Sequence, residues 1–243
     1  MTFEQHAQSF GAAADAYERG RPGYPESVAS WLAPAPVARA VDVGAGTGKF
    51  TAVLTAVAGS VTAVEPDAAM RERLARAVPG VDVLDGTGEA IPVPDGSADL
   101  VTFAQSWHWV DAGAGATEVA RVLRPGGVLG LVWNVRDESL DWSRRLGDLI
   151  KRPESRVMEY DRPVVGAPFH DGEHRAFPWV HEQSRSDLLD MVASRSYVIV
   201  LPGAERDALL RDVEHLLDSD PTTAGRATIA VPYVTHVHRY VRP

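Results

Sequence analysis

The chain has no cysteine in its 243 residues. Disulfides, thiolate metal ligands and thiol nucleophiles are therefore removed from any account of its fold and chemistry. Lysine is nearly absent as well, occurring only at Lys49 and Lys151. With 24 Lys plus Arg against 33 Asp plus Glu, the formal net charge is −9. Such a chain lacks the clustered positive charge that a broad phosphate-binding face requires, so no nucleic-acid partner is expected. Arg71, Arg73 and Arg76 form a local basic cluster whose spacing reads as the solvated face of a helix. No apolar run is long enough to span a bilayer and no basic-apolar leader is visible; no membrane partner is expected, and a soluble, cytoplasmic protein is. There is no G-x-S-x-G elbow, which leaves hydrolase chemistry without an anchor.

What is present is concentrated between residues 41 and 67. Ala40-Val41-Asp42-Val43 reads as a short buried strand, followed by Gly44, Gly46 and Gly48 at alternate positions, where the backbone is free to turn sharply and approach a ligand. Lys49 to Ala58 carries Phe50, Val53, Leu54 and Val57 at helical spacing, and Val61-Thr62-Ala63-Val64 is a second strand ending in Glu65. An acidic residue about 20 positions past a glycine turn can accept hydrogen bonds from both ribose hydroxyls, so an adenosine-like ligand is implied. The third glycine arrives one residue early for G-x-G-x-x-G, which disfavours a pyrophosphate at the helix N-terminus. A turn of this form preceded by Asp42 suits a ligand with an amino-acid tail, whose ammonium a carboxylate can hold directly or through water.

Further segments complete a βαβαβαβαβ order. Val81 to Leu84 reads as a third strand, leading into a loop through Asp85-Gly86-Thr87-Gly88-Glu89; Asp99 to Gln105 reads as a fourth. Glu118 to Gly127 is a helix end stopped by Pro125 and Gly126, and Val128 to Trp133 a fifth strand. That order predicts an α/β fold with a doubly wound parallel sheet. The tail predicts a strand over 177–183, helices over 186–193 and 205–217, and a last strand over 229–240. With 45% hydrophobic content, a single elaborated domain over 1–243 is expected.

These ordered motifs, with Ala16-Tyr17-Glu18-Arg19-Gly20-Arg21-Pro22-Gly23-Tyr24-Pro25 before them, resemble the class I S-adenosylmethionine-dependent methyltransferases, of the small-molecule type related to trans-aconitate methyltransferases. The resemblance implies a mostly parallel seven-stranded sheet with helices on both faces and an antiparallel last strand between the fifth and sixth. It divides the domain into an N-terminal helical lid (1–36), a cofactor-binding core (37–135) and a substrate-side insertion with C-terminal strands (136–243). S-adenosylmethionine is the implied cofactor. Gly44, Ala45 and Gly46 would line its methionine portion, with Asp42 beneath; Glu65 would hold the ribose. Pro66 and Met70 would pack near the adenine, Thr87, Gly88 and Glu89 would meet its edge, and Gln105 would lie near the sulfonium. Many relatives carry an acid where this chain has Thr87. Tyr17 and Arg21 would close over the cofactor as part of the lid, with Tyr24, which would also bind substrate.

A small-molecule acceptor is the expected partner, with O-methylation preferred. Ser106-Trp107-His108-Trp109, after the fourth strand, is the acceptor-site candidate: Trp107, Trp109 or Trp133 can wall the centre, and His108 can contact substrate or take its proton. Core packing of the tryptophans is the competing reading. Arg136 can clamp a carboxylate acceptor, with Arg195 more remote, and a surface pair with Asp137 is the alternative for Arg136. His170 with His174, and His236 with His238, read as solvated loop and sheet histidines, so no metal is expected. A nicotinamide-dependent oxidoreductase and a noncatalytic nucleoside-cofactor-binding protein are the alternative functions.

Overall fold

The apolar run before the glycine turn becomes a strand, β1 (Val37–Val43), whose last four residues are all buried, as a strand covered on both faces requires. The computed structural model describes residues 20–150 and 160–243. After α1 (Glu26–Leu32), β1 leads into α2 (Lys49–Leu54), β2 (Ala58–Val64), α3 (Ala68–Ala77), β3 (Asp82–Leu84) and β4 (Ala98–Ala104). A single 3₁₀ turn (Trp107–Trp109), α4 (Ala112–Val122) and β5 (Leu123–Arg136) follow. β1 pairs in parallel with β2 and β4, β2 with β3, and β4 with β5.

The seven-stranded sheet has the order β3-β2-β1-β4-β5-β7-β6, where β6 is Glu173–Ser184 and β7 is Thr228–Val241. The last strand is antiparallel to β5. The Gly126 amide donates to the Arg242 carbonyl (2.9 Å) and the Arg242 amide to Gly127 (2.8 Å), whereas the Asp137 amide donates to Pro232 (2.9 Å). These bonds also explain why β5 is longer than the predicted 128–133: residues 124–127, read as a helix stop, are drawn against the end of β7.

The described residues form two compact units interleaved along the chain. One comprises 23–134, 160–177 and 235–243. Its core gathers Val28, Leu32, Ala40, Phe50, Leu54 and Leu100 around the sheet, with Tyr24 edge-on to Phe50 at 4.9 Å between centroids. The other comprises 20–22, 135–150 and 178–234. It contains α5 (Asp141–Ile150), α6 (Arg185–Ala193), α7 (Ser196–Ile199) and α8 (Gly203–Ser219). The sequence reading assigns no element to α5, although Trp142, Leu146 and Ile150 recur at four-residue spacing and are buried together. α6 begins with a capping box in which the Ser184 hydroxyl accepts from the Asp187 amide at 3.0 Å. Among the described residues, no helix is long and apolar enough to cross a membrane.

Candidate functional site

The glycine turn between β1 and α2 gives each glycine a different task. All three hold positive φ, +66° at Gly44, +58° at Gly46 and +90° at Gly48, a region that L side chains enter at a cost. A Cβ on Gly44 would stand 2.5 Å from Ser106 Cβ, and one on Gly48 would stand 2.9 Å from Leu74 Cγ in α3. A Cβ on Gly46 would meet no protein atom within 4 Å. Gly44 and Gly48 thus permit close packing, while Gly46 presents bare backbone to open space.

Glu65, 7% exposed at the end of β2, faces this turn. Its Oε2 accepts from the Gly46 amide (2.8 Å) and its Oε1 from the Asp67 amide (3.0 Å). Burial raises its pKa, partly offset by these two amide bonds. Each oxygen accepts one N–H here and retains a further lone pair, as a partner of two ribose hydroxyls needs. Arg71, read from sequence as part of a solvated face, instead donates to the Glu65 carbonyl (2.8 Å) and pairs with Asp85 (3.2 Å). Asp67 caps α3 by accepting from the Met70 amide (2.9 Å), which fixes the buried Met70 and the neighbouring Pro66 beside Glu65 in sequence.

Asp42, expected to hold an ammonium directly or through water, is enclosed by hydroxyl groups beneath the turn. Its carboxyl is fully buried and accepts from the Thr51 (2.7 Å) and Thr102 (2.9 Å) hydroxyls, tying β1 to α2 and β4. Burial dominates and raises its pKa to about 6, with the two hydroxyls opposing. Thr51 and Thr102 escaped the sequence reading because a threonine partner on another element, helix α2 or strand β4, leaves no local signal. The loop after β3 pairs the Thr87 and Ala90 backbones in both directions at 3.2 Å. Gly88 is needed there, since its Cβ would lie 2.6 Å from Val110. Glu89, expected at an adenine edge, accepts from the Asp111 amide at 2.9 Å. Arg121 supports the same loop, donating to the Ile91 (2.8 Å) and Val93 (2.9 Å) carbonyls while paired with Glu118 at 2.7 Å.

Beyond β4, Gln105 adopts φ +58°, a strained conformation for a residue with a side chain. Its amide nitrogen donates to the Asn134 carbonyl at 2.9 Å. Asn134 is nearly buried, donates to the Gly23 carbonyl (2.8 Å) and accepts from Thr235 (2.6 Å), so it joins the segment before α1 to the ends of β4 and β5. The sequence reading did not single it out. Ser106 donates to the Val43 carbonyl at 2.7 Å, holding the β4 loop against the glycine turn.

The aromatic candidates separate. Trp107 is 4% exposed, stands edge-on to Phe103 at 4.9 Å, and donates its indole N–H to the Val164 carbonyl at 3.0 Å. It packs the interior, as the competing core reading has it. Tyr24 is partly buried and packs against the core cluster. Trp133 is 3% exposed, and its buried indole N–H has no hydrogen-bond partner among the described residues. His108 lies beside Trp109 with centroids 4.8 Å apart and has an exposed edge; protein packed around the ring holds its pKa below the ordinary value, which favours neutral imidazole. Arg136 does not pair with Asp137: it donates to Glu138 (3.0 Å) and to Ser143 Oγ (3.2 Å). Arg21 shares an electrostatic neighbourhood with Arg136 and Arg195 in the helical unit. Tyr17 lies outside the described residues.

The histidines that sequence divides into two sets converge. His174 Nε2 lies 3.2 Å from His236 Nδ1 and stacks on His238 at 4.5 Å, while His238 Nε2 contacts the Tyr160 carbonyl at 2.5 Å. Strand separation along the chain conceals this. Among the described residues, no cluster is suited to hold a metal ion.

Residues 41–131 match the family described as methyltransferase domain. An uncharacterized methyltransferase of Mycobacterium tuberculosis is 47% identical over 227 residues, 93% of each chain. An uncharacterized methyltransferase-like protein of Schizosaccharomyces pombe is 29% identical over 90% of each. Among solved structures, one described as a putative type II methyltransferase from Anaeromyxobacter dehalogenans superposes with a TM-score of 0.68 at 23% identity, covering 91% of this chain and 97% of that one, and supports the fold. The chain belongs to the methyltransferase family and is an enzyme of the class I, Rossmann-like fold. S-adenosylmethionine is its methyl donor. The turn fits such a group: open space over Gly46 would be filled by any side chain, and two oxygens of Glu65 stand next to it.

Proposed function

We propose that the protein methylates a small-molecule acceptor, preferably at oxygen, by in-line displacement. The observation that carries the donor half of this reading is the bare Gly46 backbone beside the Glu65 carboxylate. On it, Glu65 accepts the ribose hydroxyls, Gly44, Ala45 and Gly46 underlie the amino-acid portion, and Pro66, Met70, Thr87 and Gly88 frame the base. Asp42 acts through Thr51 and Thr102, holding the turn and placing a carboxyl beneath it. Gln105 acts at the strand end through its strained backbone and its bond to Asn134.

S-adenosylmethionine supplies an electrophilic methyl, so the protein's task is alignment and exclusion of water. The acidic composition, with two lysines, supports a small acceptor over a polyanion. Neutral His108, exposed after β4, can take a proton from a hydroxyl, and a carboxylate acceptor needs no base. The Trp133 indole N–H offers an unmatched donor to a polar acceptor group.

The test is incubation of the enzyme and a methyl-labelled donor with a metabolite extract. A labelled small molecule with a new O-methyl group is expected. Label in protein or nucleic acid alone would overturn the small-molecule assignment, and an N- or C-methyl product would overturn the preference for oxygen.

A further inference from the structure

The segment between β3 and β4 stands next to any base carried on a ribose at Glu65. β3 pairs with β2 as far as Val64 and Leu84, and the Glu65 amide donates to the Leu84 carbonyl at 3.0 Å. The segment begins one residue later, at Asp85, and contains no strand or helix to shape it. An isolated bridge between Thr87 and Ala90 stands in place of a ladder.

Helix α4 supplies the scaffold. Glu118 Oε1 accepts from the Ile91 amide at 2.7 Å and Arg121 Nη2 donates to the Ile91 carbonyl at 2.8 Å, so one pair of side chains answers both backbone groups of a buried residue. Arg121 Nη1 donates to the Val93 carbonyl (2.9 Å) and to Asp95 (2.5 Å). Its Nε and Nη2 donate to Glu118 Oε2 (2.8 Å) and Oε1 (2.7 Å). Together these bonds match the five N–H donors of a guanidinium, which an ammonium with three cannot do. The Gly96 amide then donates to the Arg121 carbonyl at 2.8 Å. At its other end α4 is tied to the same segment, because the Asp111 amide that donates to Glu89 belongs to the residue whose carboxylate accepts from the Ala114 amide (2.8 Å). Space is as restricted as bonding: a Cβ on Gly86 would stand 2.6 Å from Pro92 Cδ and 2.8 Å from Val64 Cγ1. An ion pair on a helix face contributes little by charge alone. This one fixes the backbone one residue from Ala90, the bridge partner of Thr87. Adenine shows a 6-amino donor and an N1 acceptor, whereas hypoxanthine shows a 6-oxo acceptor and an N1–H donor. A rigid edge rejects the exchanged pattern because its own polar groups are left unpaired, and a loose edge adapts to it.

We propose that Arg121, with Glu118, positions the base-selecting edge of the donor site: by holding Ile91 and Val93 it fixes residues 87–91 in the form that accepts adenine and rejects hypoxanthine. The pair acts through the segment and not by touching the base. The proposal rests on the donor-site reading and adds to it the residues that give the edge its selectivity.

S-adenosylhomocysteine and S-inosylhomocysteine are titrated calorimetrically into the parent enzyme, Arg121→Met and Arg121→Lys. Arg124→Met is the control, since Arg124 pairs with Asp99 (2.6 Å), outside the segment. The parent should prefer the adenosyl compound at least ten-fold. That preference should fall at least three-fold in Arg121→Met, through weaker binding of the adenosyl compound, fall less in Arg121→Lys, and stay unchanged in Arg124→Met. A merely structural role would weaken both ligands alike and leave their ratio intact. Glu118→Gln, which keeps an acceptor for the Ile91 amide but loses the ion pair, serves if the Arg121 variants do not fold, and the preference should fall there too. A parent that binds both compounds equally, an unchanged ratio in a folded Arg121 or Glu118 variant, or an equal change in Arg124→Met would overturn the proposal and leave the donor reading standing. If the parent binds no S-adenosylhomocysteine, the donor reading falls and this proposal falls with it.

Discussion

Glu65 and Asp42 are two buried carboxyls with opposite duties. Glu65 turns both oxygens toward amides at the edge of the glycine turn, while Asp42 is enclosed by threonines beneath it. Glu65→Gln preserves one carbonyl oxygen but loses the charge. It should weaken S-adenosylhomocysteine binding by about 1.5–3 kcal/mol, as for charge-assisted hydrogen bonds, read by calorimetry; unchanged affinity in a folded variant would contradict the ribose role. For Asp42, the carboxyl titrates at its ordinary 3.8 in the unfolded chain and at about 6 in the folded one, so the folded state binds the extra proton between those values. Its cost to stability therefore grows as pH rises from 3.8 to 6 and is constant above, at about 3 kcal/mol. Asp42→Asn, whose amide can still bond both threonine hydroxyls, should be more stable than the parent to urea at pH 7.5, with a gain that shrinks toward pH 4. A pH-independent difference would contradict the assigned titration. His108 should remain neutral down to below pH 6.5, which side-chain NMR titration would show; a value above the assay pH would leave it protonated and unable to accept a proton.

At the scale of elements, the glycine turn divides stability from binding. Gly48→Ala drives a methyl into Leu74 and Val78 and should lower unfolding stability by about 1–3 kcal/mol, as overpacking does. Gly46→Ala meets no protein atom and should cost about 1–2 kcal/mol for its left-handed backbone while reducing donor affinity at least ten-fold. Thermal unfolding and calorimetry on the pair separate the effects; retained donor affinity in Gly46→Ala would move the donor away from the turn. Much of this region was legible in the chain because strand, turn and acid follow one another within 25 residues and each signal is local. Boundaries were less so: β1 and β2 each begin three residues before the predicted strand, since pairing extends Val37 against Ala58 where the apolar alternation is weak. Helix α5 was legible but overlooked: Trp142, Leu146 and Ile150 recur at four-residue spacing, and Arg144, Arg145 and Asp148 fill the intervening positions as in an amphipathic helix. Trp107 and Trp133 could not be told apart from composition; one indole finds a carbonyl 57 residues away and the other finds none among the described residues.

For the molecule as a whole, sheet order and charge set the limits on function. The order β3-β2-β1-β4-β5-β7-β6 places the ends of β1 and β4 side by side, where an open parallel sheet receives its ligand. A net charge of −9 makes retention on immobilised heparin at moderate salt unexpected, and strong retention would reopen the polyanion reading. The measurement that bears most directly on the account is a crystal structure of the enzyme with S-adenosylhomocysteine. It should show both ribose hydroxyls donating to Glu65 and the amino-acid portion crossing Gly46. An adenosyl group seated elsewhere, with Glu65 bonded only to the Gly46 and Asp67 amides, would contradict the account.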